Sequence, residues 1–148
     1  MNYSDLIMEI KKDEGFRAKP YMCPLGFATI GYGTKLPLNK DELASVKNSQ
    51  NITKEEAATL LYLRLAEMMR TLRESKGKIL IQMSENRREV IFNMTYQLGV
   101  KGILNFKKMW AALEAGNFAQ AADEMKDSKW YHQTPKRAQK LINRMIEG

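Results

Sequence analysis

Within the stretch DEGFRAKPYMCPLGFATIGYGTK, Asp13 to Lys35, three side chains could do chemistry. Glu14 lies nine residues before Cys23, and Thr29 lies six after it. A carboxyl can move a proton, and a thiolate is a nucleophile and a metal ligand. A segment suited to carboxylate chemistry thus has a thiol in its middle. Cys23 is the single cysteine of the chain and His132 the single histidine. Together they could form a nucleophile–base pair. That design usually seats the thiol at a helix N-terminus, whereas Cys23 falls among strands and turns and precedes Pro24. A hydrogen-bonded structural role is favoured for His132. With one Cys, one His, no HExxH and no CxxC, no metal site is expected. There is no Walker loop, no GxGxxG and no calcium loop. The pair Gly31 and Gly33 reads as turn geometry.

The elements that must position these residues follow from local pattern. YSDLIMEIKK, residues 3–12, has Ser4 as an N-cap and Leu6, Ile7 and Ile10 on one helical face. The helix ends near Gly15, which leaves Glu14 at its C-terminus. From Phe16 to Leu38 the runs RAKPYM, FATIGY and GTKLPL, broken by Pro and Gly, predict a small antiparallel meander. Pro20 suits an edge strand or a bulge. Pro24 pushes Cys23 toward an extended backbone. Residues 39–51 are loop-like with room for one helical turn. Thr53 and Glu56 then form a capping box ahead of an apolar run, which predicts a linking helix over 52–73. Beyond it the chain reads helical. Ser84 caps a helix that ends at Gly99, another spans Asn105 to Gly116, and Asn117 and Thr134 cap two more, with Pro135 at a first helical position.

The chain has 148 residues, 44% hydrophobic and 28% charged, with nine glycines and four prolines. That is a globular composition, long enough to remove roughly 70% of the unfolded surface from water without staples. A lone cysteine excludes an internal disulfide. The first residues have neither the apolar run of a secretory signal nor a membrane span. The net charge of +7 suits anionic partners, whether nucleic acid, membrane or cell-wall polymer. The helices show no continuous basic face, so no nucleic-acid partner is expected. Ten methionines, several at helical spacing, read as core filler. Trp130 and Tyr131 in WYHQTP are candidates for a place beside a ligand.

Taken together, Glu14-Gly15-Phe16-Arg17, Tyr21, Gly26 and Thr29-Ile30-Gly31-Tyr32-Gly33-Thr34 resemble the catalytic segment of the phage-type, T-even phage-like lysozymes, glycoside hydrolase family 24. RREVIFNMTYQLGVKG and SKWYHQTPKRAQ resemble that family's core helix and its W-Y-x-Q-T-P-x-R-A signature. With ITKEEA, the likeness covers nearly the whole chain in order, except residues 36–50.

The resemblance implies an α+β, mostly helical, two-lobed fold. A small antiparallel sheet lobe (1–50), a long linking helix (52–73) and a helical lobe (76–148) would form one domain. It implies an endolysin that hydrolyses the β-1,4 bond between N-acetylmuramic acid and N-acetylglucosamine in peptidoglycan. Such an enzyme is a monomer without cofactor or metal, made in the host bacterial cytoplasm and released to the wall by a separate holin. Glu14 matches the family's general acid, Thr29 the threonine that holds the attacking water, and Arg137 the arginine paired with that glutamate. Gly33, Lys35, Tyr96, Gln97 and Gly99 fall on positions lining the sugar subsites. Family members of this type invert, with the two carboxyl groups ~6.5–9.5 Å apart.

The family's second acid falls on Cys23. A thiol titrates near ~8.5 and replaces a carboxylate poorly as a charge at pH 7. Three readings follow. Cys23 takes the acid's role as thiolate, hydrogen-bond partner or nucleophile; or Glu14 and Thr29 carry the reaction with the thiol as a minor helper; or the site is inert and Cys23 is a packed hydrophobe. Beside the muramidase stand a glycan-binding descendant that does not cut and a Cys–His peptidase or amidase. Released sugar reducing ends mark the first of these and released amines the last.

Overall fold

The computed structural model describes residues 3–148. The chain divides into two compact units, Met1–Glu67 and Met68–Gly148.

In the first unit, α1 (Ser4–Glu14) has Asp5 in its first turn and Lys11 and Lys12 in its last, signs that suit the helix dipole. Ser4 is the first helical residue and not the cap. Tyr3 holds the cap position, and no side chain bonds there. Leu6 and Ile10, four residues apart on one face, are fully buried. Gly15 stops the helix with φ 70, a backbone open to glycine, and its N–H donates to the Lys11 carbonyl at 2.9 Å. Glu14 is therefore the last helical residue, at the point where the chain turns into the sheet.

The meander forms as β1 (Arg17–Met22), β2 (Ala28–Gly31) and β3 (Thr34–Lys35), antiparallel in the order β1-β2-β3. Tyr21 pairs with Thr29 and Met22 with Ala28, while the register slips between Arg17 and Tyr21. Pro20 lies in that slip, where its missing N–H costs no ladder bond. The last two strands are shorter than their β-prone runs. Leu36 N–H still reaches the Ala28 carbonyl at 2.8 Å, but Pro37 has no N–H with which to continue. A tight turn joins β1 to β2: Cys23 N–H donates to the Phe27 carbonyl and Gly26 N–H to the Cys23 carbonyl, each at 2.9 Å.

Strand side chains alternate between faces, which sorts this sheet by function. Ile30 goes into an apolar cluster with Leu38, Ile52, Ala57 and Leu60. The opposite face takes Thr29 with its two register partners, Tyr21 and Lys35, and the turn-closing pair Cys23 and Phe27.

The 36–50 region holds α2 (Lys40–Ala44), opened by a capping box between Asn39 and Glu42. The Glu42 carboxylate also takes two hydrogen bonds from Arg64, from Nε and Nη2, each 2.7 Å. Burial pushes that carboxyl up, but the Arg64 bonds, the Asn39 N–H and the Arg64 charge together hold it below the usual range. Thr53 and Glu56 form the expected capping box at the start of α3 (Lys54–Ile81). This helix runs beyond residue 73 and through Gly77. A mid-helix glycine costs only about 1 kcal/mol, and buried Leu80 extends the apolar face past it. The boundary between the two units falls inside α3.

The second unit is helical: α4 (Glu85–Leu104), α5 (Lys107–Glu114), α6 (Phe118–Lys126), α7 (Lys129–Gln133) and α8 (Pro135–Glu147). Residues 90–97 of α4 are all buried, as in a central helix with neighbours on every side. Its helical backbone breaks at Gly99, the expected end, before a further turn to Leu104. Ser84 and Asn117 cap as expected, by accepting from Arg87 and Gln120. Thr134 holds the cap position of α8, but its side chain accepts from no N–H of that helix; its hydroxyl donates to the Trp130 carbonyl instead. Pro135 opens α8 as expected. Six methionines (69, 83, 94, 109, 125 and 145) are buried, as core filler should be.

Candidate active site

Each unit holds part of the set singled out from the sequence. In the first, the Glu14 side chain lies on Gly33. A Cβ built on Gly33 would meet the Glu14 carboxyl, 2.5 Å from its carbon and 2.7 Å from Cγ. Gly33 also has φ 77, a conformation that favours glycine, and an added Cβ would displace the Glu14 carboxyl. The glycine expected to line a sugar subsite also lies directly under the Glu14 side chain.

Cys23 and Thr29 are tied through one acceptor. The Phe27 carbonyl takes the Cys23 N–H at 2.9 Å and the Thr29 hydroxyl at 2.7 Å. Thr29 is 1% exposed and Cys23 partly exposed. Pro24 sits inside the turn that holds the Cys23 backbone. Lys35 holds its Nζ 4.5 Å above the Phe27 ring, which is half exposed.

Tyr21 belongs to this group, though from the sequence it had a place only in the motif and no role. It faces Thr29 across the ladder, and the Arg17 guanidinium lies 4.8 Å above its ring. Burial pushes its phenol up, the charges of Glu14 and Cys23 push the same way, and Arg17 opposes them. Period-two alternation was the available signal, since Tyr21 stands two residues before Cys23.

In the helical unit, Tyr96 is buried and Gln97 joins two segments. The Gln97 amide oxygen accepts from Trp130 Nε1 at 2.8 Å, and its NH₂ donates to Thr134 Oγ1 at 3.2 Å. Arg137 donates from Nε and Nη2 to Asn93 Oδ1, at 3.0 and 2.7 Å. Asn93 is fully buried and was not singled out from the sequence, although it lies one helical turn before Gln97 on α4. Gly99 marks the break just after these residues. Trp130 also lines a depression of about 630 Å³ among Leu98, Phe106, Met109, Lys129 and their neighbours. His132 is exposed, its ring edge-on to Tyr131 at 5.5 Å.

Among the described residues no group of three or more His, Cys, Asp or Glu side chains is placed to hold a metal ion. No described helix is long and apolar enough to cross a membrane.

A sequence model of the phage lysozyme family matches residues 11–147. The chain belongs to that family. It is 31% identical over 157 residues to the pre-baseplate central spike protein of Enterobacteria phage T4, covering 94% of this chain and 27% of that protein. It is 30% identical to probable T4-type lysozyme 1 of Dictyostelium discoideum, over 94% of this chain and 92% of the relative. An endolysin of Acyrthosiphon pisum secondary endosymbiont phage 1 is 28% identical, over 82% and 73% of the two chains. The match takes in residues 36–50, which the motif resemblance had left unaligned.

Proposed function

We propose that this phage lysozyme family chain hydrolyses the β-1,4 bond between N-acetylmuramic acid and N-acetylglucosamine in peptidoglycan. Glu14 acts as general acid and protonates the leaving glycosidic oxygen. Thr29 orients the attacking water. Its proton goes to the Phe27 carbonyl, so its oxygen meets a water as an acceptor and turns that water's lone pair outward. Cys23 stands where the second acid belongs, as a hydrogen-bond partner or thiolate beside that water. On the helical unit the same reading makes Arg137, Tyr96, Gln97 and Gly99 binding or supporting residues, and in the first unit Gly33 and Lys35.

What chiefly supports the reading is the shared Phe27 carbonyl, which holds Cys23 and Thr29 in fixed relation on one sheet face. The seat of Glu14 on Gly33 adds the acid. The net charge of +7 favours encounter with an anionic wall. The setting proposed is host lysis by a monomer that a separate holin releases from the cytoplasm.

The test is reducing-end release from purified peptidoglycan. The parent cuts, Glu14→Gln abolishes cutting, and Cys23→Ser weakens it sharply. Full activity in Cys23→Ser would mean that Glu14 and Thr29 suffice. A parent that binds glycan without cutting, with activity only in Cys23→Asp, would overturn the reading in favour of a binding scaffold. The anomer of the first product separates the roles of the thiol: inversion marks a water-directed reaction, and retention a covalent thiolate intermediate.

A further inference from the structure

We propose that Asn93 is a positioning residue: its neutral amide oxygen holds the Arg137 guanidinium in one plane, so that the arginine meets the glycan already oriented. This rests on the binding or supporting role given to Arg137 above. Nε and Nη2 lie along one edge of the guanidinium, and both donate to Asn93 Oδ1, at 3.0 and 2.7 Å. A planar fork gripped along one edge cannot swing without losing at least one of these bonds. Asn93 is fully buried among the packed residues 90–97 of α4, so the acceptor itself stays in place.

The root of the arginine is fixed from the same helix. Arg137 is the third residue of α8, which opens with Pro135 and has Thr134 at its cap position. Gln97, one helical turn after Asn93, donates to Thr134 Oγ1 at 3.2 Å and accepts from Trp130 Nε1 at 2.8 Å. Two amides one turn apart on α4 thus hold both the start of α8 and the end of its arginine. Ordering a long side chain costs up to about 2 kcal/mol of rotamer freedom, and here that cost falls on folding and not on binding. The choice of an amide has its own consequence. A carboxylate at position 93 would bond the fork more strongly, but its charge would offset the positive charge offered to an anionic glycan. The amide orients the guanidinium and adds no net charge.

The test is a double-mutant cycle read by binding. Uncross-linked peptidoglycan strands are titrated into the intact chain, with Glu14→Gln present so that no strand is cut. Asn93→Ala removes the acceptor, while Asn93→Asp keeps its shape and changes its charge. Each is compared with and without Arg137→Gln. The expected result is a Kd raised about tenfold by either change while Arg137 is present, and by less than about twofold once Arg137→Gln is in place. In the chain that retains Glu14, KM rises with kcat little changed. Urea unfolding checks the fold of each variant, and if Asn93→Ala is too unstable to titrate, the Asn93→Asp comparison decides alone. If either change alters Kd by the same factor in both backgrounds, or not at all, Asn93 serves only the fold and the proposal is wrong. A parent that cuts no glycan, yet binds strands with this dependence on Arg137, removes the hydrolase reading and leaves the proposal standing. A parent that binds no strands removes the role of Arg137 and the proposal with it.

Discussion

Gly33→Ala isolates the seat of the glutamate. The added Cβ would lie 2.5 Å from the Glu14 carboxyl carbon and 2.7 Å from Cγ, where ordinary contacts need about 3.5 Å. The carboxyl must therefore move by about 1 Å. A displacement of that size in a reacting group costs on the order of a hundredfold in rate, or about 2.7 kcal/mol of transition-state stabilisation. Backbone strain from φ 77 adds about 1–2 kcal/mol to the folding cost. Gly116→Ala separates the two effects. Gly116 has φ 72 with nothing within 4 Å of its built Cβ, so it carries the strain without the collision. Reducing-end release and urea unfolding are measured for both variants. The expected outcome is a similar stability loss in each, with a roughly hundredfold fall in kcat for Gly33→Ala alone. Equal activity in the two variants would refute the idea that Gly33 seats a working Glu14.

Other perturbations have equally definite outcomes. Arg64→Met leaves the buried Glu42 carboxylate with the Asn39 N–H, and unfolding at pH 7 should show a loss of about 3–5 kcal/mol, roughly 10 °C in Tm. Because Glu42 is held below its unfolded range, the pair stabilises fully above that range and loses its effect as pH falls through the folded value. The gap between parent and variant should therefore narrow below about pH 4, and a gap constant from pH 7 to 3 would contradict this. Gln97→Leu strands the Trp130 indole N–H in a buried site and should cost about 1–3 kcal/mol in urea unfolding followed by fluorescence. Thr29→Ser retains a hydroxyl for the Phe27 carbonyl and should keep most activity. Thr29→Val should lose about a hundredfold in glycan release with KM little changed.

Much of this fold was legible where the determinants are local. The Thr53–Glu56 capping box, the stop at Gly15 and the break at Gly99 are decided within one or two turns of chain. So is the hairpin at Cys23-Pro24-Leu25-Gly26. The end of α3 was read too early because Gly77 signals a break, while the signal that overrides it, the burial of Leu80, is tertiary. Glu42–Arg64 could not be read at all, since nothing in sequence joins residues twenty-two apart. At the site, motif spacing singled out Glu14, Cys23 and Thr29, whose roles are proposed above. It carried no signal for the place of Tyr21 opposite Thr29, which register creates, or for the bond of Asn93 to Arg137 from a distant helix.

The placement of two residue types has a practical consequence. Both tryptophans, 110 and 130, belong to the Met68–Gly148 unit and are buried there, Trp110 donating to the Ile103 carbonyl and Trp130 to the Gln97 amide oxygen. The only thiol belongs to the Met1–Glu67 unit. Intrinsic fluorescence therefore watches one half of the molecule and thiol labelling the other, with no engineered probe. If the two halves melt as one cooperative body, both signals move at the same denaturant concentration. If they melt separately, the midpoints part, and the native sequence itself reports which half yields first.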